Sequence, residues 1–200
     1  MRITGGRLRG RTLDGPPGRA KGRGARGRAP SKGARAGASG GTRPTTDRVR
    51  EALFSALASR VDLAGVRAAD LFAGTGALGL EALSRGAAHA LFVERHGPTL
   101  ALARRNAAAL GVEAECAFRR ADALAVLGGP PLAVDLLLMD PPYAMDGLDR
   151  LPGLALPHLT AHGIAALEHD ARHDFSAHPA CAFARDYGST RLSLFAARGA

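Results

Sequence analysis

The sequence predicts an α/β domain whose mostly parallel sheet is covered by helices on both faces, and three observations carry that prediction. Strand-like and helix-like segments alternate from residue 66 to residue 167, and two of the helix-like segments stop at a glycine, Gly86 or Gly111. The apolar run ending in Leu136-Leu137-Leu138-Met139 has the character of a buried strand. Two hundred residues suffice for one domain with a full core and leave no room for a second large one.

Taken in order, a ribbon or small hairpin is expected over residues 1–18. There Ile3, Leu8 and Leu13 are the only apolar anchors around Gly5-Gly6. Residues 19–42 are almost entirely Arg, Gly, Ala, Lys and Ser, which cannot bury enough apolar surface to offset the entropy of ordering, so 19–41 is expected to be disordered. The third unit is residues 43–200. It opens after Arg43-Pro44 with a helix capped by Thr45, Thr46 or Asp47, in which Val49, Leu53 and Leu57 recur at i, i+4 and i+8 beside Phe54.

A strand at 66–72, a helix at 77–85, a strand at 89–93 and a helix at 98–110 follow. Next come a strand near 116–119, a short helix after Asp122, a strand at 134–139, a helix around 148–159 and a strand at 163–167. The rhythm breaks at the end, where 181–187 and 190–196 flank Gly188-Ser189 and form an antiparallel hairpin at the sheet edge.

Charge is segregated. Residues 1–50 hold 14 basic against 2 acidic side chains, and the remainder 13 against 16, so the formal net charge of +9 belongs to the N-terminal quarter. Such an arm fits a polyanionic partner, because neutralising phosphates releases counterions; a solubilising Arg-rich tail is the plainer alternative. Neither a run of 18 apolar residues nor a signal-peptide core is present, which leads us to expect a cytoplasmic protein without a membrane partner. Cys116 and Cys181 lack metal or disulfide spacing and are expected to be reduced and packed.

The first chemical signal is Asp70-Leu71-Phe72-Ala73-Gly74-Thr75-Gly76-Ala77-Leu78-Gly79, a strand entering a glycine turn and then a helix. Gly74 and Gly76 allow a ligand to approach the backbone and the helix N-terminus. Residues 74–79 also satisfy the G-x-G-x-x-G pattern of dinucleotide sites, so NAD stays open, as does a turn with no ligand at all. Glu94 ends the next strand about 20 residues beyond the glycines, where a carboxylate can accept hydrogen bonds from both hydroxyls of a ribose, which NAD and S-adenosylmethionine each carry. Asp122 follows the third strand, suited to meet an adenine amine or to cap the short helix behind it.

The deciding signal is Asp140-Pro141-Pro142-Tyr143, directly after the apolar strand. The lone pair of an exocyclic amine is delocalised into its ring, so an enzyme must localise it. The Asp140 carboxylate and the Pro141 carbonyl can accept the two amine hydrogens and offset positive charge developing on nitrogen. The prolines stiffen the loop, and Tyr143 offers a ring on which an extruded base can stack.

Together these residues resemble the bacterial 16S ribosomal RNA guanine-N2 methyltransferases. The resemblance runs through Arg2 to Arg11, Arg43 to Glu51, Asp70 to Ala82 and Asp140 to Tyr143. It covers nearly the whole chain and departs from the family in the Arg/Gly-rich stretch. It implies a Rossmann-like class I fold with a seven-stranded, mostly parallel sheet, an antiparallel C-terminal hairpin and a small basic N-terminal ribbon. It implies S-adenosylmethionine held by Asp70, Phe72, Gly74, Thr75, Gly76, Leu78, Glu94 and Asp122, with Asp140, Pro141 and Tyr143 at the target guanine. It further implies Arg43, Thr45 and Arg48 along the cleft and Arg2, Arg7, Arg9 and Arg11 on ribosomal RNA. The expected partner is ribosomal RNA or a small-subunit assembly intermediate, and the protein is expected to act as a monomer.

Competing readings keep parts of this picture. A DNA adenine-N6 or cytosine-N4 methyltransferase would use the same amine chemistry, although no DNA-recognition module is evident. A non-catalytic RNA-binding assembly factor would need only residues 1–50, and an NAD oxidoreductase leaves Asp140 to Tyr143 unexplained. His169-Asp170-Ala171-Arg172-His173 spaces two histidines by four, but Asp stands where a zinc protease needs Glu and no third ligand is assured, so no metal is expected and the segment reads as a solvated connection.

Overall fold

The computed structural model describes residues 1–15, 44–143 and 145–197, with residues 44–46 described as backbone only. The expected disorder of 19–41 and the whole of Arg43 lie outside the described residues. Seven strands form one sheet: β1 (Arg67–Asp70), β2 (His89–Val93), β3 (Cys116–Arg119), β4 (Val134–Met139), β5 (Leu159–Asp170), β6 (Cys181–Tyr187) and β7 (Thr190–Ala196). Their order is β3-β2-β1-β4-β5-β7-β6; the first five run parallel, and β7 lies antiparallel between β5 and β6. The alternation and the terminal hairpin therefore predicted the architecture correctly: a Rossmann-like α/β sheet with an antiparallel edge.

Alternate strand residues feed two cores. Leu136, Leu138, Ile164, Ala166, Leu192 and Leu194 pack against α1 (Pro44–Ala58), α2 (Ala77–Ser84) and α3 (Gly97–Leu110). Leu137, Met139, Ala165, Leu167 and Phe195 face the other way, onto α4 (Ala123–Leu127) and α5 (Leu151–Ala155). Burial on both faces is what makes these strands read as continuous apolar runs.

Several local expectations change. β1 ends at Asp70, because Leu71 and Phe72 leave the strand for the glycine turn. Asp47 does not cap α1: the helix already begins at Pro44, and Asp47 sits in its first turn, bonded to Arg50 at 2.8 Å. The helix expected at 148–159 is broken into two 3-10 turns around a five-residue α5, since Pro152 and Pro157 remove backbone donors and restart the helix. β5 extends to twelve residues, gaining its length by pairing β4 on one side and β7 on the other.

The N-terminal segment forms a hook. Arg2 and Thr12 bridge antiparallel, the Ile3 amide bonds the Arg11 carbonyl, and a 3-10 turn at Gly6–Leu8 closes the end. Its three apolar anchors, Ile3, Leu8 and Leu13, are all buried in the core shared with α1 and α2. The fully buried Glu81 on α2 fastens the hook, accepting hydrogen bonds from the Thr4 amide, the Thr4 hydroxyl and the Gly5 amide at 2.7–2.8 Å and from Arg50 and Arg85.

Candidate active site

The site lies at the carboxyl ends of β1 and β4, where the strand order reverses direction and a crevice opens in sheets of this kind. After β1 the chain turns through Gly74 and Gly76, with φ of 53° and 84°, a backbone region that favours glycine, and enters α2. Gly79 is needed for a different reason: a Cβ there would come within 2.4 Å of the Phe92 ring, so only glycine lets α2 pack this closely on β2.

Two adjoining pockets share this edge. The larger, about 530 Å³, is lined by Phe72, Glu94, Asp122, Leu124, Asp140 and Pro142 among others. The smaller, about 160 Å³, is lined by Gly74, Thr75, Leu78, Asp70, Asp140, Glu168 and Arg50. Phe72 and Asp140 border both pockets, so they stand at the junction. The expected cofactor residues Asp70, Phe72, Gly74, Thr75, Leu78, Glu94 and Asp122 thus gather around one cleft, with Gly76 in the turn behind them.

The carboxylates differ in their surroundings. Glu94 accepts from the Gly74 amide at 3.2 Å and the His96 amide at 2.8 Å, tying the glycine turn to the end of β2. Asp122 caps α4 by accepting from the Leu124 and Ala125 amides, at 2.9 and 3.2 Å, and its carboxylate also faces the pocket. Asp70, 1% exposed, takes a 3.0 Å bond from the Gly79 amide on Oδ2, while Oδ1 is buried without a hydrogen-bond partner. Burial pushes Asp70 up to about 7; the Gly79 amide pulls against this, Asp140 adds to it, and the nearby Phe72 amide adds a weaker downward pull without forming a hydrogen bond.

Asp140 opens into the cleft, and the protein around it raises its carboxyl above the ordinary range by desolvation. Next to it, Tyr143 is 40% exposed and its hydroxyl shares a 2.7 Å hydrogen bond with Thr190 at the start of β7. The ring is therefore presented to solvent while its far end is held. Pro141 is buried and Pro142 exposed, and their two rings stiffen the turn that leaves β4.

Of the basic residues expected on RNA, Arg2, Arg9 and Arg48 line one groove of about 300 Å³ between the hook and α1. Arg7 and Arg11 serve partly as struts, Arg7 pairing with Glu115 at 2.5 Å and Arg11 bonding the Ala109 carbonyl at 2.8 Å. Thr45 has a described place in α1 and nothing further. His169 proves buried rather than solvated, its ring nitrogens engaged by the Asp170 carbonyl and Ser193, and it lies on β5 instead of a helix, so the four-residue histidine spacing puts no pair on one helix face. The Cys116 thiol is pushed up to about 12 by burial and by Glu115 and Glu113, which suits the expected packing role.

Sequence reading missed three residues. Glu168 follows the apolar run of β5 as Asp140 follows β4, a parallel that was available once the strand was extended by one residue. Arg50 lay inside the quoted Arg-Pro-Thr-Thr-Asp-Arg-Val-Arg-Glu run; it is buried and joins Asp47, Glu81 and the Arg2 carbonyl. Thr190 carried no local signal, since its role depends on where β7 meets the Asp140 loop.

The glycine turn, the open Asp70 oxygen and the carboxylates along a cleft of this size suit a nucleoside with a cationic sulfur, and fold and site together define an S-adenosylmethionine-dependent methyltransferase. A family model described as "Conserved hypothetical protein 95" matches residues 24–196, and the chain belongs to that family. It is 36% identical over 134 residues to YlbH of Bacillus subtilis strain 168, covering 64% of this chain and 72% of that protein. Against "Ribosomal RNA small subunit methyltransferase D" of Escherichia coli K12 it is 35% identical over 143 residues, covering 72% of this chain and 60% of that enzyme. Among solved structures, yhhF from Escherichia coli aligns over 100% of this chain and 99% of its own, with 28% identity and a TM-score of 0.77.

Proposed function

We propose that the protein transfers a methyl group to the N2 amine of a guanine in 16S ribosomal RNA, presented as RNA or within a small-subunit assembly intermediate. What carries this reading is the junction of the two pockets at Asp140, with the stiff Pro141-Pro142 turn and the exposed Tyr143 beside it. The relatedness to a small-subunit ribosomal RNA methyltransferase supports the choice of substrate.

S-adenosylmethionine supplies an electrophilic methyl group on a sulfonium. Gly74, Thr75 and Gly76 give it a backbone cradle, Leu78 and Phe72 give it apolar walls, and Glu94 accepts from the ribose. Asp122 is placed to meet the adenine amine, and Asp70 offers its open oxygen to a donor or a positive charge. Asp140 and the Pro141 carbonyl accept the two hydrogens of the guanine amine, which turns its lone pair out of conjugation and toward the methyl. As the amine gains positive charge, Asp140 stabilises it and then accepts the proton that nitrogen releases. Tyr143, steadied by Thr190, stacks on the extruded base.

The groove formed by Arg2, Arg9 and Arg48 contacts RNA phosphates, with Arg7, Arg11, Arg43 and Thr45 extending it. The enzyme acts as a monomer in the cytoplasm; no helix of the described residues is long and apolar enough to cross a membrane. Mass spectrometry of nucleosides from ribosomal RNA methylated in vitro tests the acceptor. N2-methylguanosine is expected, and N6-methyladenosine or N4-methylcytidine would replace this reading with a different base.

A further inference from the structure

Three carboxyl groups stand on one face of the sheet at its carboxyl edge. Asp70 ends β1 in register with Leu138 of β4, Leu138 pairs with Ala166 of β5, and Asp140 and Glu168 each follow two residues later on the same face. All three line the smaller pocket. The groups bordering that pocket with Glu168 are Asp140 after β4, Asp70 on β1, Arg50 on α1 and Met1 with its terminal amine; on β7 the register partner of Glu168 is the uncharged Leu192.

Arg50 cannot balance this charge alone, because its guanidinium is already bonded to Asp47, to Glu81 and to the Arg2 carbonyl. A second, independent observation points to a ligand: Oδ1 of Asp70 is buried and has no hydrogen-bond partner. Three carboxyls therefore share the pocket with an already engaged guanidinium and the Met1 amine, an acid-rich balance that suits a cationic ligand, and the pocket adjoins the larger cleft at Asp140.

We propose that Asp140 and Glu168 form a charge sensor for the cofactor, together retaining one proton when the sulfur beside them is uncharged and releasing it to solvent when that sulfur is a sulfonium. The site then favours S-adenosylmethionine over S-adenosylhomocysteine increasingly as pH rises, which speeds exchange of the spent cofactor. No bond other than the carboxyl O–H is broken, and the proton leaves to bulk water. Desolvation by the surrounding protein pushes both carboxyls upward, Asp140 adds to the push on Glu168, and Arg50 opposes it, so the ionisation of each carboxyl depends on the other. Glu168 acts here through Asp140 and is a positioning residue. The inference rests on the smaller pocket receiving the sulfur end of S-adenosylmethionine.

Calorimetric titration of the full chain with each cofactor form at about pH 6 and about pH 8 tests it, in buffers of different ionisation enthalpy so that released protons are counted. S-adenosylmethionine is expected to bind about tenfold tighter at the higher pH, with net proton release, and S-adenosylhomocysteine to change by less than about twofold. Glu168→Gln, which keeps the shape but does not titrate, should shrink the difference between the two. Equal pH dependence for both forms in the unaltered protein would overturn the sensor while leaving the cofactor site intact, as would an undiminished difference in Glu168→Gln. Failure of either form to bind at all would instead sink the cofactor reading and the sensor with it.

Discussion

Glu81 and Asp70 are both buried carboxylates beside α2, and their surroundings are opposite. Glu81, 0% exposed, is surrounded by five donors from the hook, α1 and Arg85 at the end of α2. Asp70, 1% exposed, has one bonded oxygen and one left open. A buried charge costs free energy unless hydrogen bonds replace its hydration. The contrast separates an acid whose hydrogen bonds are fully used inside the fold, where it holds the N-terminal hook in place, from one that keeps an oxygen open beside the glycine turn, as the proposed cofactor role requires.

The sharpest way to break this division is at the site itself. Asp140→Ala should cut single-turnover methyl transfer by about 10³-fold or more while cofactor affinity falls by no more than about tenfold, since the acceptor matters most in the transition state. Equal losses in affinity and rate would make Asp140 a binding residue instead. In the other region, Glu81→Gln should cost about 3 to 5 kcal/mol in denaturant unfolding, because Arg50, Arg85 and the hook amides lose an anionic partner that no water can replace. A loss below about 1 kcal/mol would show the hook to be held by its apolar anchors alone.

A smaller effect sharpens the comparison through pH. The Asp70 carboxyl is raised to about 7 from an ordinary 3.8, so the folded protein binds more protons than the unfolded chain between those values. Stability without ligand therefore falls as pH rises through that window. Asp70→Asn should stabilise the ligand-free protein by roughly 2 kcal/mol at about pH 8, with the gain shrinking toward about pH 4, and should weaken cofactor binding. A pH-independent gain would mean that charge burial at Asp70 is not the cause.

Legibility in the sequence followed the range of the interactions. The glycine turn, Glu94 and Asp140 to Tyr143 were readable because each is a short motif at the end of a strand, and the alternation of elements forces strand ends to one edge. Ile3, Leu8 and Leu13 were readable as anchors because nothing else apolar surrounds them. The five-donor fastening of Glu81 was not, since three of the donors come from residues 76 and 77 positions away and Glu81 looks in sequence like an ordinary helix-surface acid. Glu168 and Thr190 were hidden for the same reason: the first meets Asp140 only through the register of β4 and β5, and the second meets Tyr143 only because the chain returns antiparallel beside β5.

The proposed chemistry requires that the cleft bind S-adenosylmethionine through Glu94 at the end of β2. Calorimetric titration of the unaltered protein and of Glu94→Ala measures this directly. One molecule of S-adenosylmethionine per chain is predicted, with affinity at least about tenfold weaker in the variant, as expected when charge-assisted hydrogen bonds to the ribose and the brace on Gly74 are lost together. Equal affinity in the two proteins, or saturable binding of NAD in place of S-adenosylmethionine, would contradict it.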